Sequence, residues 1–230
     1  MLRYVTFAAL LPILVLQALW VVSRAVRLPE ADGPRSGAIG QGRPLNLQVL
    51  GDSSAAGVGV DHQDQALAGQ LAQHLSQTGK ITWTLIAQTG ATTDTALRML
   101  ETAPKQHFDM AVIALGVNDC KNGISTSRWQ TNYTTILDHL RDRFGVRRIC
   151  VSGVPDLGQF PLLPKPLGTI LGNRAHRFDA ILHDIVDARA DVTYVSLDFG
   201  DDNTLMARDG FHPGPLIYTA WAKRVAETFR

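Results

Sequence analysis

Five short apolar runs, each followed by a stretch with helical periodicity, constrain this chain more than any other feature of its sequence. The runs are Leu45 to Gly51, Ile81 to Ala87, Met110 to Leu115, Arg148 to Gly153 and Val192 to Val195. Each is too short for an ordinary helix, and most are continuously apolar rather than alternating, so both faces of the resulting strands must be covered. Gln65 to Thr78 carries Leu67, Leu71 and Leu75 at four-residue spacing, and Thr93 to Glu101 reads as a shorter helix. Ser127 and Gln130 read as a capping box opening a helix with Trp129, Tyr133, Ile136, Leu137, Leu140 and Phe144 on one face and Gly145 at its end. Arg174 to Ala190 places Phe178, Ile181, Leu182, Ile185 and Val186 on one face, and Pro215 to Phe229 is the last helix. This alternation predicts an α/β domain whose parallel sheet has helices on both sides. Ligands then bind outside the C-terminal ends of the strands.

The amino-terminal part is different. Tyr4 to Val22 is 19 residues without a charge, and only Thr6 and Gln17 are clearly polar. As a helix it would measure roughly 28 Å, close to the thickness of a bilayer core. Its apolar side chains surround the whole circumference instead of forming one stripe, which speaks against a buried core helix. Residues 1–28 are therefore read as a membrane anchor. The alternative is a signal peptide, for which Ala18 to Ala25 offers no good small-residue cleavage site. Arg24, Arg27 and Arg35 would hold the C-terminal flank inside, whereas Arg3 and the amino terminus pull the other way. The expectation is a membrane-anchored protein with its domain exported to the periplasm, or secreted if the segment is cleaved. Residues 29–44 hold four Gly and three Pro and read as a linker, leaving residues 45–230 as the folded domain.

Charge and cysteine content exclude several classes. The formal net charge is +1, and beyond residue 30 there are 19 basic and 20 acidic side chains. No nucleic-acid partner is expected from such a balance. Cys120 and Cys150 are too few for a disulfide scaffold or a four-cysteine zinc site, and their offset along the predicted sheet argues against a bond between them. Gly51, Gly57 and Gly59 match neither the dinucleotide fingerprint nor the P-loop, so no cofactor is expected. The strand-end loops are short of His for a two-metal site, and no metal is expected.

Four polar clusters fall at the predicted strand ends: Gly51-Asp52-Ser53-Ser54, Gln88-Thr89-Gly90, Gly116-Val117-Asn118-Asp119, and Asp209-Gly210-Phe211-His212-Pro213. Singly, each is ordinary turn chemistry. In this order the four blocks resemble the GDSL, or SGNH, hydrolase family of esterases and lipases, over residues 47–213. The resemblance implies a flavodoxin-like three-layer α/β/α fold with a parallel five-stranded sheet, preceded here by the N-terminal hydrophobic helix. It also implies a nucleophilic serine after Gly-Asp, at Ser53, and maps the family's second-block glycine to Gly90, its Asn to Asn118, and its Asp-x-x-His block to Asp209 and His212. The first block departs mildly from the family pattern, because Ser54 stands where Leu is usual.

The chemistry of these residues agrees with that implication. A serine hydroxyl needs a base to accept its proton, and His212 has a carboxylate three residues earlier to fix its tautomer. The backbone N–H groups of Ser53 and Gly90 and the Asn118 amide can form an oxyanion hole. Asp52 and Asp119 read as structural, bonding loop N–H groups. His74, His139 and His183 read as solvent-facing helix residues. The Pro-rich apolar segment Val154 to Leu171 is either a loop packed on the domain or an acyl-binding wall or lid. The expected protein is a serine hydrolase of carboxylic esters, acting on a small-molecule or lipid ester. Sugar O-acetyl ester and thioester substrates remain open, as does a non-catalytic anchored binding module of the same fold.

Overall fold

The computed structural model describes every residue except 1 and 201, and the side chains of all but residues 1–9, 201 and 203. The elements in chain order are α1 (Leu2–Arg24), β1 (Ser36–Ile39), β2 (Pro44–Gly51), α2 (Leu67–Leu75), β3 (Lys80–Ala87), α3 (Thr93–Thr102), β4 (Met110–Ala114), α4 (Val117–Lys121), α5 (Thr126–Asp142), β5 (Arg148–Ser152), α6 (Leu167–Asp187), β6 (Val192–Val195) and α7 (Pro215–Thr228). One sheet of order β1-β3-β2-β4-β5-β6 runs through the domain. β2 pairs in parallel with β3 and β4, β4 with β5, and β5 with β6.

All five predicted strands are present, and the sheet has a sixth. β1 runs antiparallel to β3, with Ser36 opposite Thr84 and Ile39 opposite Ile81. It lies inside residues 29–44, so this stretch is a strap along the sheet edge and not a free linker. Its four residues are mostly exposed and carry no apolar pattern, which is why the sequence does not announce it. What holds it is the open edge of β3, whose unpaired backbone groups it satisfies. Gly37 passes close over Trp83: a Cβ there would lie 3.0 Å from the indole nitrogen.

Two cores cover the sheet, one on each face. On one side Trp129, Tyr133, Ile136, Leu137, Leu140 and Phe144 of the α5 segment pack with Phe178 and Leu182 of α6 against Ile113, Ile149 and Val151. The whole predicted face of α5 is buried because its residues recur at three and four positions, on one side of the helix. On the other side α2 and α7 pack Leu67, Leu71, Leu75, Tyr218, Trp221 and Val225 against Leu47, Val49 and Val112.

Some boundaries move. α2 is shorter than the predicted Gln65 to Thr78, and α6 begins at Leu167 instead of Arg174. α5 is capped by Ser125, not Ser127: the Arg128 N–H donates to the Ser125 hydroxyl at 3.3 Å, and Ser125 has the extended backbone that a cap requires. Ile124 packs against the core just before it, drawing the chain into the helix two residues early.

α1 is a helix, and part of the predicted span Tyr4 to Val22 lies outside the described side chains. Among the described residues no helix is long and apolar enough to cross a membrane. α1 rests against the start of α6, where Gln17 donates to the Lys165 carbonyl at 2.7 Å and accepts the Leu167 N–H at 3.0 Å.

Candidate active site

The four polar blocks sit at the carboxyl ends of β2, β3 and β4 and in the loop before α7. The parallel pairing of β2 with both neighbours brings Gly51, Ala87 and Ala114 level, so the first three blocks start side by side. The fourth reaches them because the loop carrying His212 packs tightly on the loop carrying Ser53. A Cβ at Gly59 would stand 2.2 Å from the Pro213 carbonyl oxygen, so only glycine permits this approach. The Tyr218 hydroxyl anchors the same loop, 2.8 Å from both the Ser54 and Val58 carbonyl oxygens.

Ser53, His212 and Asp209 form one hydrogen-bonded chain. His212 Nε2 lies 2.8 Å from Ser53 Oγ, and His212 Nδ1 lies 2.6 Å from Asp209 Oδ2. Asp209 Oδ1 also accepts the backbone N–H groups of Phe211 and His212, each at 3.0 Å. Burial pushes the Asp209 carboxyl pKa up, but the bonds from the His212 ring and from these two N–H groups outweigh it, and the net displacement is downward. Asp209 is thus held as a carboxylate facing the imidazole. The i to i+3 spacing makes this fold-back possible within one loop.

Gly90 is the third residue of the turn closed by the Ala91 N–H bond to the Gln88 carbonyl. Its φ of +82° is the conformation a type II turn demands there. Neither the Ser53 N–H nor the Gly90 N–H has a partner among the described residues. Asn118 is placed differently from the expectation of a free donor. Its amide nitrogen donates to the Ala91 carbonyl at 3.0 Å and to Asp52 Oδ2 at 3.2 Å, so both amide hydrogens are engaged. It ties the second block to the first.

Asp52 and Asp119 are structural, as their loops suggest. Asp52 Oδ1 accepts the Ser54 N–H and hydroxyl at 2.9 and 2.8 Å. Asp119 accepts the Thr93 N–H and hydroxyl, fixing the start of α3. Burial nevertheless pushes the Asp119 carboxyl up to about 6. A raised pKa means the native state holds the proton more tightly than the unfolded chain. The stability this supplies is complete below the unfolded value of 3.8 and is lost as pH rises through about 6. Urea denaturation of wild type and Asp119→Asn across pH 3 to 7 should show a wild-type deficit growing over that window and flat above it.

A cavity of about 670 Å³ opens from Ser53 and His212. Phe160, Phe199, Met206, Phe211 and Trp221 supply apolar wall, and Asp179, His183 and Tyr194 lie at its polar side. The predicted loop at Val154 to Leu171 does contribute a wall, through Val154, Pro155 and Phe160. His183 is exposed, as expected of a solvent-facing helix residue, and its ring also packs. It stacks on Tyr194 with ring centroids 3.9 Å apart and lines the cavity. Sequence gives no sign of this, because the period of α6 marks its apolar face and not what its polar face meets. Asp179 ties the same wall together, accepting the Val154 N–H at 2.8 Å and the Tyr194 hydroxyl at 3.0 Å.

Among the described residues no group of three His, Cys, Asp or Glu is placed to hold a metal ion. Cys120 and Cys150 are free and buried, in the cores on opposite faces of the sheet. Burial pushes each thiol up to about 12, so both stay protonated at neutral pH. Iodoacetamide should leave the native protein unlabelled at pH 8 and label both cysteines after denaturation.

The model of the GDSL-like lipase/acylhydrolase family matches residues 49–220. No curated protein sequence matches the chain. Among solved structures, TesA is 20% identical, with 80% of this chain and 98% of that chain covered at a TM-score of 0.63. The psychrotrophic esterase EstA from Pseudoalteromonas sp. is 20% identical over 80% of this chain and 98% of its own, at 0.61. A carbohydrate acetylesterase family member from Sinorhizobium meliloti is 17% identical over 81% and 97%, at 0.57. At such identities these likenesses carry the fold, while the family rests on the sequence match over residues 49–220: the chain belongs to the GDSL-like lipase/acylhydrolase family.

Proposed function

We propose that the protein hydrolyses carboxylic esters through an acyl-enzyme on Ser53. The observation that carries this is the Ser53–His212–Asp209 chain, with its 2.8 and 2.6 Å links. His212 Nε2 takes the Ser53 proton as Oγ forms a bond to the substrate carbonyl carbon. The carbonyl oxygen becomes an oxyanion facing the Ser53 and Gly90 N–H groups. Asn118 joins as a third donor by exchanging its longer bond, to Asp52, for the oxyanion. The C–O bond breaks, the alcohol leaves with the proton from His212, and water attacks the acyl-enzyme by the same proton route. Family membership supports a hydrolase, and the esterase and acetylesterase folds above are consistent with ester cleavage.

The substrate class we infer is an ester with a lipophilic acyl chain. A cavity of about 670 Å³ with an apolar wall far exceeds what an acetyl group fills. Hydrolysis of p-nitrophenyl esters of increasing chain length, with fluorophosphonate labelling of Ser53, tests both parts. The expected result is labelling at Ser53 and an optimum beyond butyrate. An acetate optimum overturns the acyl preference, and no labelling with no turnover favours a binding module.

We also propose that α1 attaches the protein to a bilayer. Seven of the ten large apolar side chains exposed among the described residues lie on α1, from Leu11 to Val22. Arg24 and Arg27 follow, where anionic headgroups would meet them. The full chain should float with phosphatidylglycerol-containing vesicles on a density gradient. Recovery at the bottom overturns the attachment.

A further inference from the structure

We propose that Glu30 and Arg35, in the strap before β2, are positioning residues that hold the Gly90 N–H in register with Ser53. The inference rests on the reading of the site as an ester hydrolase. Glu30 Oε1 accepts both the Thr89 N–H at 2.8 Å and the Thr89 hydroxyl at 2.7 Å. Thr89 and Gly90 are the two central residues of the turn that presents the Gly90 N–H. Glu30 Oε2 pairs with Arg35 Nη1 at 2.8 Å, and Arg35 Nη2 donates to the carbonyl of Ala87, the last residue of β3. Both ends of the turn's approach are therefore gripped by one ion pair.

The strap grips the other donor's loop as well. The Ala31 N–H bonds the Ala56 carbonyl at 3.2 Å, and the Gln63 side-chain amide bridges the Ala31 and Ala56 carbonyls at 3.1 and 3.0 Å. Arg35 then continues into β1, its carbonyl accepting the Leu85 N–H at 2.7 Å. Residues 30–35 thus connect the loop after Ser53 to the end of β3. The two N–H groups without partners belong to the two loops that this strap ties together. An exposed glycine turn has no packing to set its plane: a Cβ at Gly90 would meet nothing within 4 Å. Glu30 supplies that constraint by hydrogen bonding where packing cannot.

Glu30 accepts three donors, the Thr89 N–H and hydroxyl on Oε1 and Arg35 on Oε2, so an amide replaces it only in part: its oxygen can serve Thr89 while its NH2 faces Arg35. Glu30→Ala should lower kcat for a p-nitrophenyl ester about 10- to 100-fold with KM within about twofold, since the oxyanion forms only after binding. Glu30→Gln, which keeps both Thr89 bonds and loses the Arg35 pair, and Thr89→Val, which loses the hydroxyl bond and keeps the pair, should each fall between Glu30→Ala and wild type. Thermal melting of each variant accompanies the kinetics. Should Glu30→Ala fail to fold, Thr89→Val and Glu30→Gln should still fall below wild type. Equal kcat in wild type and the folded variants overturns the clamp and leaves the hydrolase intact. A rise in KM at constant kcat also overturns it. A wild type inert towards both esters and fluorophosphonate overturns the hydrolase reading and the clamp together.

Discussion

Ser53→Ala should lower kcat for ester hydrolysis by about 10⁶-fold, the scale seen when a triad nucleophile is removed. Ser54 cannot substitute. Its hydroxyl is committed to Asp52 Oδ1 at 2.8 Å, away from the base, whereas Ser53 Oγ is the hydroxyl within 2.8 Å of His212 Nε2. Ser54→Ala should therefore stay within about tenfold of wild type, because it removes a loop bond and not the nucleophile. His212→Ala should cost nearly as much as Ser53→Ala, and the double variant little more, because the pair acts as a unit. Steady-state kinetics with burst analysis of wild type and the four variants checks this. A Ser53→Ala variant within tenfold of wild type ends the acyl-enzyme mechanism.

Asp209→Asn should cost about 10⁴-fold in kcat with little change in KM. Asp209 Oδ2 accepts the Nδ1 proton at 2.6 Å, which leaves Nε2 free to accept from Ser53. An asparagine amide can donate to Nδ1 instead, which places the ring proton on Nε2, where it faces Ser53. The base then starts in the wrong tautomer. The backbone bonds from Phe211 and His212 to Oδ1 survive in asparagine, so the loop stays folded. A second signature is thermodynamic. Because the folded pKa of Asp209 is lowered, its stabilising contribution is complete above the unfolded value of 3.8 and is lost as pH falls through the folded value. The stability difference between wild type and Asp209→Asn should shrink on acidification, the opposite sense to Asp119. A kcat loss below tenfold would mean that the carboxylate does not set the tautomer.

The Ser53–His212–Asp209 chain was legible because each of its members stands in a short block at the end of a strand or before a helix. Strand identity came from composition: Met110 to Ala114 is wholly buried and wholly apolar, as a central parallel strand must be. Helix faces were legible for a similar reason, since the period of α5 places Trp129, Tyr133 and Leu140 on one side whatever lies opposite. Asn118 was read correctly in place but not in contact. Its type shows a donor, and only the fold shows that Asp52 and Ala91 already engage both hydrogens.

Residues 30–35 and His183 mark the limit of that reading. The strap has loop composition, and its structure comes from the open edge of β3 and from Thr89, 59 residues away in sequence from Glu30. His183 looks like any polar residue on an amphipathic helix, and it reaches the cavity because β6 lies beside β5 and presents Tyr194 to it. What the sequence by itself determined was local and periodic: which segments are strands, which helix faces are apolar, and which four loops carry the polar blocks. What the tertiary structure alone decided was pairing between distant segments: a sixth strand, a clamp on the Gly90 turn, and a cavity shared by α6, β6 and α7. Periodicity records how a segment meets water or core, but it carries no record of which segment it meets.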